Sequence, residues 1–124
     1  MKNIITMNFK IKNENSIKLE KSQAFYKLGK FYADGKGTKV NLKKAKKCFE
    51  IAASLNNQKA NIMLGVMYIY GLGVYRDISK AIDYIESAAK KNNIKAIISL
   101  INIYFHGIGV EQDYCKAKYY LELL

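Results

Sequence analysis

The sequence predicts an all-α protein, a short solenoid of about three helix-turn-helix repeats. Three observations predict it. The chain is self-similar at an offset of 36 residues, apolar and small residues recur within each copy at helical spacing, and glycine pairs followed by Asn or Asp mark where one helix ends and the next begins.

The register is explicit. Ala24, Ala60 and Ala96 align, as do Leu28, Leu64 and Leu100, and then Tyr32, Tyr68 and Tyr104. Within a copy these residues stand at i, i+4 and i+8, one face of a helix. Gly29 and Gly65 follow the leucine, where a missing side chain lets a neighbouring helix approach. The first helix then ends at Gly35-Lys-Gly37, Gly71-Leu-Gly73 and Gly107-Ile-Gly109, because glycine takes the left-handed C-cap conformation without strain. Asn41, Asp77 and Asp113 follow as N-caps of a second helix. Its apolar side is Ala45, Cys48, Phe49, Ala52 and Ala53 in copy one, and Ala81, Tyr84, Ile85, Ala88 and Ala89 in copy two. The small pairs Ala52-Ala53 and Ala88-Ala89 suit close packing on the next copy. A helix pair of this length cannot bury both its faces alone, so the copies stack.

Domain organisation follows from that register. Residues 1–23 form an N-terminal segment of open structure, and residues 24–124 form the repeat domain, with copies at 24–59, 60–95 and 96–124. The pattern Ala-x3-Leu-Gly-x2-Tyr-x2-Gly-x-Gly-Val-x2-Asp-x2-Lys-Ala-x2-aromatic-x3-Ala-Ala resembles the Sel-1-like repeat, a relative of the tetratricopeptide repeat. Copy two carries every element, with Val74, Asp77, Lys80, Ala81 and Tyr84 in place. Copy one has Thr38, Asn41 and Cys48 at the Val, Asp and aromatic positions; copy three has Ile101 for Gly and stops at Leu124, before its Ala-Ala pair. The resemblance implies a right-handed superhelix with first helices lining a concave face and second helices on the convex face. It also implies a role in holding other proteins. Some extracellular relatives bridge the two helices of a repeat with a cysteine pair, a pattern absent here. Cys48 and Cys115 lie at different repeat positions two copies apart, which argues for reduced thiols.

Composition narrows the function class. Half of the 124 residues are hydrophobic and 12% are aromatic, enough to bury a core. The net charge is +11, and 20 of the 21 basic residues are Lys. Residues 1–60 hold 14 Lys and 4 acids, net +10, whereas residues 61–124 hold 6 Lys, Arg76 and 6 acids, net +1. The uncharged stretches Ala60 to Tyr75 and Ala96 to Val110 span 16 and 15 residues, short of the ~18 to 20 that a membrane span needs. The N-terminal apolar stretch is interrupted by Lys10 and Lys12, too soon for a secretory leader. The chain therefore reads as cytoplasmic, with a non-classical export route left open.

No catalytic, cofactor or metal constellation emerges. The glycine pairs lack a preceding strand and a third glycine, so they are turns rather than phosphate loops. Ser87-x-x-Lys90 and Tyr114-x3-Lys118 match fragments of catalytic motifs without their companions. His106 is the single histidine and has no second ligand at metal spacing; at a helix C-terminus it suits capping or groove lining. Asp77, Asp83 and Glu86 share one helix, but Asp77 is used as a cap and a solvated face explains the others.

Two surfaces remain. Transfer of tetratricopeptide-like concave positions by register gives Tyr26, Lys27, Lys30 and Asp34 in copy one, Ile62, Met63, Val66, Ile69 and Tyr70 in copy two, and Ile98, Ser99, Asn102, Phe105 and His106 in copy three. This apolar lining points to a groove for a peptide or helix, while Ile62 and Met63 equally suit burial between copies. An internal occupant is offered by Met7, Phe9 and Ile11, which alternate with Asn8, Lys10 and Lys12 as in a strand. The second surface is basic: Lys43, Lys44, Lys46 and Lys47 crowd one helix and would attract an acidic protein, a nucleic acid or an anionic membrane. The near absence of Arg stands against nucleic acid, and a membrane surface is likewise disfavoured. The leading expectation is a non-enzymatic adaptor for a protein or peptide on the concave face, with an anionic-partner binder as the alternative. The apolar end Tyr119-Tyr120-Leu-Glu-Leu-Leu124 adds the expectation of an end-to-end homodimer.

Overall fold

A computed structural model describes residues 2–124, with the side chains of residues 2, 9, 11 and 12 outside the description. Among the described residues there are six helices and no strands: α1 (Lys2–Asp34), α2 (Leu42–Ser54), α3 (Gln58–Tyr70), α4 (Ile78–Ala89), α5 (Ile94–His106) and α6 (Tyr114–Leu121). Each packs on its neighbours in the chain, giving a short α/α solenoid. None is long and apolar enough to cross a membrane.

The turns within the repeats form as their residues dictate. Gly71 and Gly107 end α3 and α5 in the left-handed conformation, with φ of 67° and 68°. Leu72 N–H then reaches Met67 O, and Ile108 N–H reaches Ile103 O, both at 2.9 Å, the hydrogen bond of a Schellman end. The side chains of Asn41, Asp77 and Asp113 accept from the N–H groups of Lys44, Lys80 and Lys116, each at 3.0 Å. The turns between repeats use a device that the glycine pattern does not reveal. In Asn56-Asn57 and Asn92-Asn93 the first Asn takes a positive φ, 67° and 62°, and ends a helix. The second caps the next one, accepting from Ala60 N and Ala96 N at 2.9 and 3.1 Å. Asn enters the left-handed region more readily than other non-glycine residues and is also a strong N-cap, so one dipeptide serves both ends.

Two core clusters join consecutive elements. Phe49 and Ala52 of α2 meet Ala60, Leu64 and Met67 of α3 in the first; α4, α5 and α6 supply Ile85, Ala88, Ala96, Leu100, Ile103 and Ala117 to the second. Close approach within a repeat depends on glycine. A Cβ at Gly65 would lie 2.5 Å from Ile85 Cγ1, and one at Gly29 would lie 2.7 Å from the Phe49 ring.

One expectation is corrected. The alternation at residues 7–12 does not make a strand, because α1 runs unbroken from Lys2 to Asp34. A lone strand there would leave its backbone groups unpaired, whereas a helix satisfies its own; Met7 stands exposed on it, and the side chains of Phe9 and Ile11 lie outside the described residues. Equivalence by register fails to give equal burial. Leu64 and Leu100 are 0% exposed, but Leu28 is 41% and Phe31 51% exposed, since α1 packs against a second helix on one side only.

Gly65→Ala adds the methyl group against Ile85 and is expected to cost about 1–3 kcal/mol from overpacking. That outweighs the ~1 kcal/mol by which Ala exceeds Gly as a helix former. A lower urea unfolding midpoint is the expected result; a raised midpoint would contradict the close approach.

Candidate functional site

The first helices of copies two and three present the apolar face anticipated from register, but only part of it is open. Apart from Lys59, α3 carries no formal charge, and α5 carries only Lys95 besides His106. Ile62 and Ile69 pack on one core cluster and Met63 on the other, so these three are structural as well as surface groups. Val66 is half-buried. Tyr70 is 71%, Phe105 48% and Ile98 44% exposed, and Asn102 and His106 are exposed beside them. In copy one, Tyr26 is half-buried with its ring 5.9 Å from that of Phe49, Lys27 is exposed, and Lys30 pairs with Asp34 at 3.8 Å.

Phe105 gains a neighbour that lies outside the concave positions. Its ring meets those of His106 and Tyr114 edge-on, with centroids 5.1 and 5.3 Å away. Tyr114 opens α6 and is 60% exposed, so the aromatic surface extends across the α5–α6 turn. Tyr114 sits one residue after the Asp113 cap, and that adjacency is its only signal in the sequence.

The basic cluster on α2 is less uniform than its spacing suggests. Lys43 and Lys47 are exposed. Lys44 lies over the Tyr32 ring at 5.5 Å, and this contact is a repeat feature: Lys80 lies over Tyr68 at 5.1 Å and Lys116 over Tyr104 at 4.9 Å. Lys46 is half-buried and donates to Glu50 Oε1 at 3.2 Å. Burial alone would lower its pKa, but the Glu50 hydrogen bond and charge outweigh this and raise it. The open patch is therefore Lys43, Lys44 and Lys47, with Lys44 resting on the Tyr32 ring and Lys46 drawn to Glu50.

The chemistry-bearing residues fit structural roles. Ser87 Oγ donates to Asp83 O at 3.1 Å, as a helical serine does. Among the described residues, no group of three or more His, Cys, Asp or Glu is placed to hold a metal. Cys48 and Cys115 are free, the first buried and the second exposed. Burial pushes the Cys48 thiol up, away from the reactive thiolate. Tyr68 stacks on Tyr84 and Tyr104 on Tyr120, with interplanar angles of 11° and 4°. Tyr120 donates its hydroxyl to Glu86 Oε1 at 3.1 Å, and burial, followed by the Glu86 charge and hydrogen bond, raises its pKa well above normal. Burial and the neighbouring Tyr68 raise Tyr84 too.

A raised tyrosine pKa contributes stability that is complete below the unfolded value of ~10 and is lost as pH climbs toward the folded value. The urea unfolding midpoint is therefore expected to fall between pH 9 and about 11. Tyr120→Phe should flatten that fall, and an undiminished alkaline slope in the variant would show that the Glu86 contact is not its source.

Comparisons with known proteins agree with this geometry. The family profile described as Sel1 repeat matches residues 22–57, 58–93 and 102–124. A search of curated proteins gives no match. The crystal structure of a Sel1 repeat protein from Oxalobacter formigenes is similar with a TM-score of 0.75 at 26% identity, over 82% of this chain and 42% of that one. A protective antigen of uropathogenic Escherichia coli displaying an SLR fold is similar with a TM-score of 0.76 at 30% identity, over 82% of this chain and 22% of that one. The chain thus spans less than half the length of either solved relative. Repeats of this kind generally serve as non-catalytic scaffolds for protein–protein interaction. With three matched segments and a capped α/α architecture to carry them, the chain belongs to the Sel1 repeat family.

Proposed function

We propose that the chain is a non-catalytic adaptor that holds a peptide or helix on the concave face formed by its first helices. The observation that carries the reading is the exposure of Tyr70, Ile98 and Phe105 on two helices almost without charge. Apolar and aromatic groups left open in a patch are characteristic of interaction surfaces, and aromatic anchors supply much of the energy of such contacts. Tyr114 enlarges the patch, while Asn102 and His106 supply hydrogen-bonding groups at its margin.

Affinity capture from the native cell followed by mass spectrometry identifies the bound protein, whose affinity is then measured with purified components. The double variant Tyr70→Ala, Phe105→Ala is expected to weaken that binary complex at least about tenfold, with little dependence on salt. Both side chains are exposed, so the variant keeps the parent's thermal midpoint. Unchanged affinity in a folded double variant would refute the groove.

A second reading is favoured by the charge asymmetry, net +10 in residues 1–60 against +1 in the remainder. On this reading an anionic partner is drawn to the lysine-rich first half, with exposed Lys43 and Lys47 on α2 among its lysines, and its affinity falls steeply with salt.

A further inference from the structure

Gln58 and Ile94, the first residues of α3 and α5, correspond to Ser22 at the 36-residue offset. By that register α1 starts 20 residues early, since it begins at Lys2. Its extra turns, ~30 Å of helix at 1.5 Å per residue, overhang the α2–α3 turn. Beneath them lies a cleft of about 670 Å³, walled by Asn15, Lys18 and Leu19 of the overhang, by Asn56 and Asn57 of the turn, and by Tyr26, Lys27 and Lys59.

The cleft is built. Ser22 at its base is buried and donates its hydroxyl to Leu19 O at 2.9 Å. Asn57 Nδ2 donates to Ser22 O at 3.4 Å, tying the turn to α1. Asn93 Nδ2 donates to Gln58 Oε1 at 3.1 Å and joins the start of α5 to the start of α3.

Its charge is one-sided. Three lysines and no carboxylate line it. The ion pairs among the described residues are Lys30–Asp34, Lys46–Glu50 and Lys118–Glu122, so Lys18, Lys27 and Lys59 are left without an acidic partner. Lys59 leans on the Tyr26 ring at 6.0 Å. The first residues of α3 contribute the positive end of a helix dipole. The other polar lining is largely carboxamide, from Asn15, Gln23, Asn56 and Gln58. A carboxamide both donates and accepts, matching the hydrogen-bonding groups of a peptide backbone. Ring surface for stacking nucleobases is scarce, because Tyr26 is half-buried and already flanked by Lys59.

We infer that the cleft under the α1 overhang binds a short extended acidic peptide segment, with its carboxylates on Lys18, Lys27 and Lys59 and its main chain on the carboxamides. The site shares Tyr26 and Lys27 with the concave positions of copy one but uses none of Tyr70, Ile98 and Phe105, so it does not depend on the adaptor reading. Its volume falls in the range of ~300–1,000 Å³ typical of ligand sites.

The test uses the full 124-residue chain and fluorescence anisotropy of a labelled hexaglutamate peptide, with hexaglutamine and a hexathymidylate oligonucleotide as comparisons. Hexaglutamate is expected to bind, hexaglutamine not to bind, and the oligonucleotide to bind more weakly. The triple variant Lys18→Gln, Lys27→Gln, Lys59→Gln should lose about tenfold or more in affinity, the product of three modest charge contacts. Lys43→Gln with Lys47→Gln should change it less than about twofold, and Tyr70→Ala with Phe105→Ala not at all. All three cleft lysines are exposed, so circular dichroism and thermal midpoint should match the parent. Absence of hexaglutamate binding, equal loss from the two lysine variants, full retention by the triple variant, or tighter binding of the oligonucleotide would each overturn the proposal. Loss of the concave-face partner in the Tyr70, Phe105 variant with hexaglutamate binding retained separates the two sites.

Discussion

Each repeat depends on one backbone hydrogen bond, from the N–H of the residue that caps its second helix to the carbonyl of the tyrosine nine positions earlier. Asn41 reaches Tyr32 at 2.9 Å, Asp77 reaches Tyr68 at 2.9 Å and Asp113 reaches Tyr104 at 2.8 Å. The bond closes only if the chain between reverses tightly, which is why Gly35, Gly37, Gly71, Gly73, Gly107 and Gly109 all take positive φ. With the turn closed, the lysine three residues after the cap falls over the same tyrosine, in every copy. Cap, ring and cation thus form one unit, and its geometry sets the angle at which the second helix folds back.

The packing between helices follows from that angle. At Gly65 the backbones come near enough that Ile85 occupies the space of a side chain, and Gly73 stands equally close to Leu42 of the preceding repeat. Cores packed to this density respond to a single added carbon. The copies differ where their aromatics differ. Tyr84 and Tyr120 stack on the tyrosine of the first helix, whereas the equivalent Cys48 cannot, and copy one instead fills its interior with Phe49 against Tyr26. The buried thiol is a small apolar group in that arrangement, with its pKa raised by burial.

The excess of lysine acquires a location. Lys44, Lys80 and Lys116 belong to the repeat and are engaged with tyrosine rings, and Lys46 is held by Glu50. What remains without a carboxylate includes Lys43 and Lys47 on α2 and the three lysines of the α1 cleft. The lysine excess of residues 1–60 thus lies in two separate places. One is a sparse pair on the exposed side of α2 and the other an open, carboxamide-lined cleft in which three exposed lysines face no carboxylate.

The sequence alone determined the helical class, the turns at the glycine pairs, the caps at Asn41, Asp77 and Asp113 and the family, because each rests on relations spanning a few residues and repeated at a fixed offset. The Asn56-Asn57 and Asn92-Asn93 turns were equally present in that register, yet their double role shows only in the positive φ of the first Asn of each pair. Tertiary structure alone decided the fate of equivalent residues: Leu28 exposed and Leu64 buried, Ile69 partly in the core and Tyr70 open, Lys46 paired and Lys43 free. It also decided that residues 2–34 make a single helix whose overhang creates a cleft. Helix and turn formation are governed by torsion angles and neighbours within a few positions. Burial, pairing and enclosure depend on what a fold places opposite a residue, here across the 35 positions that separate Ser22 from Asn57.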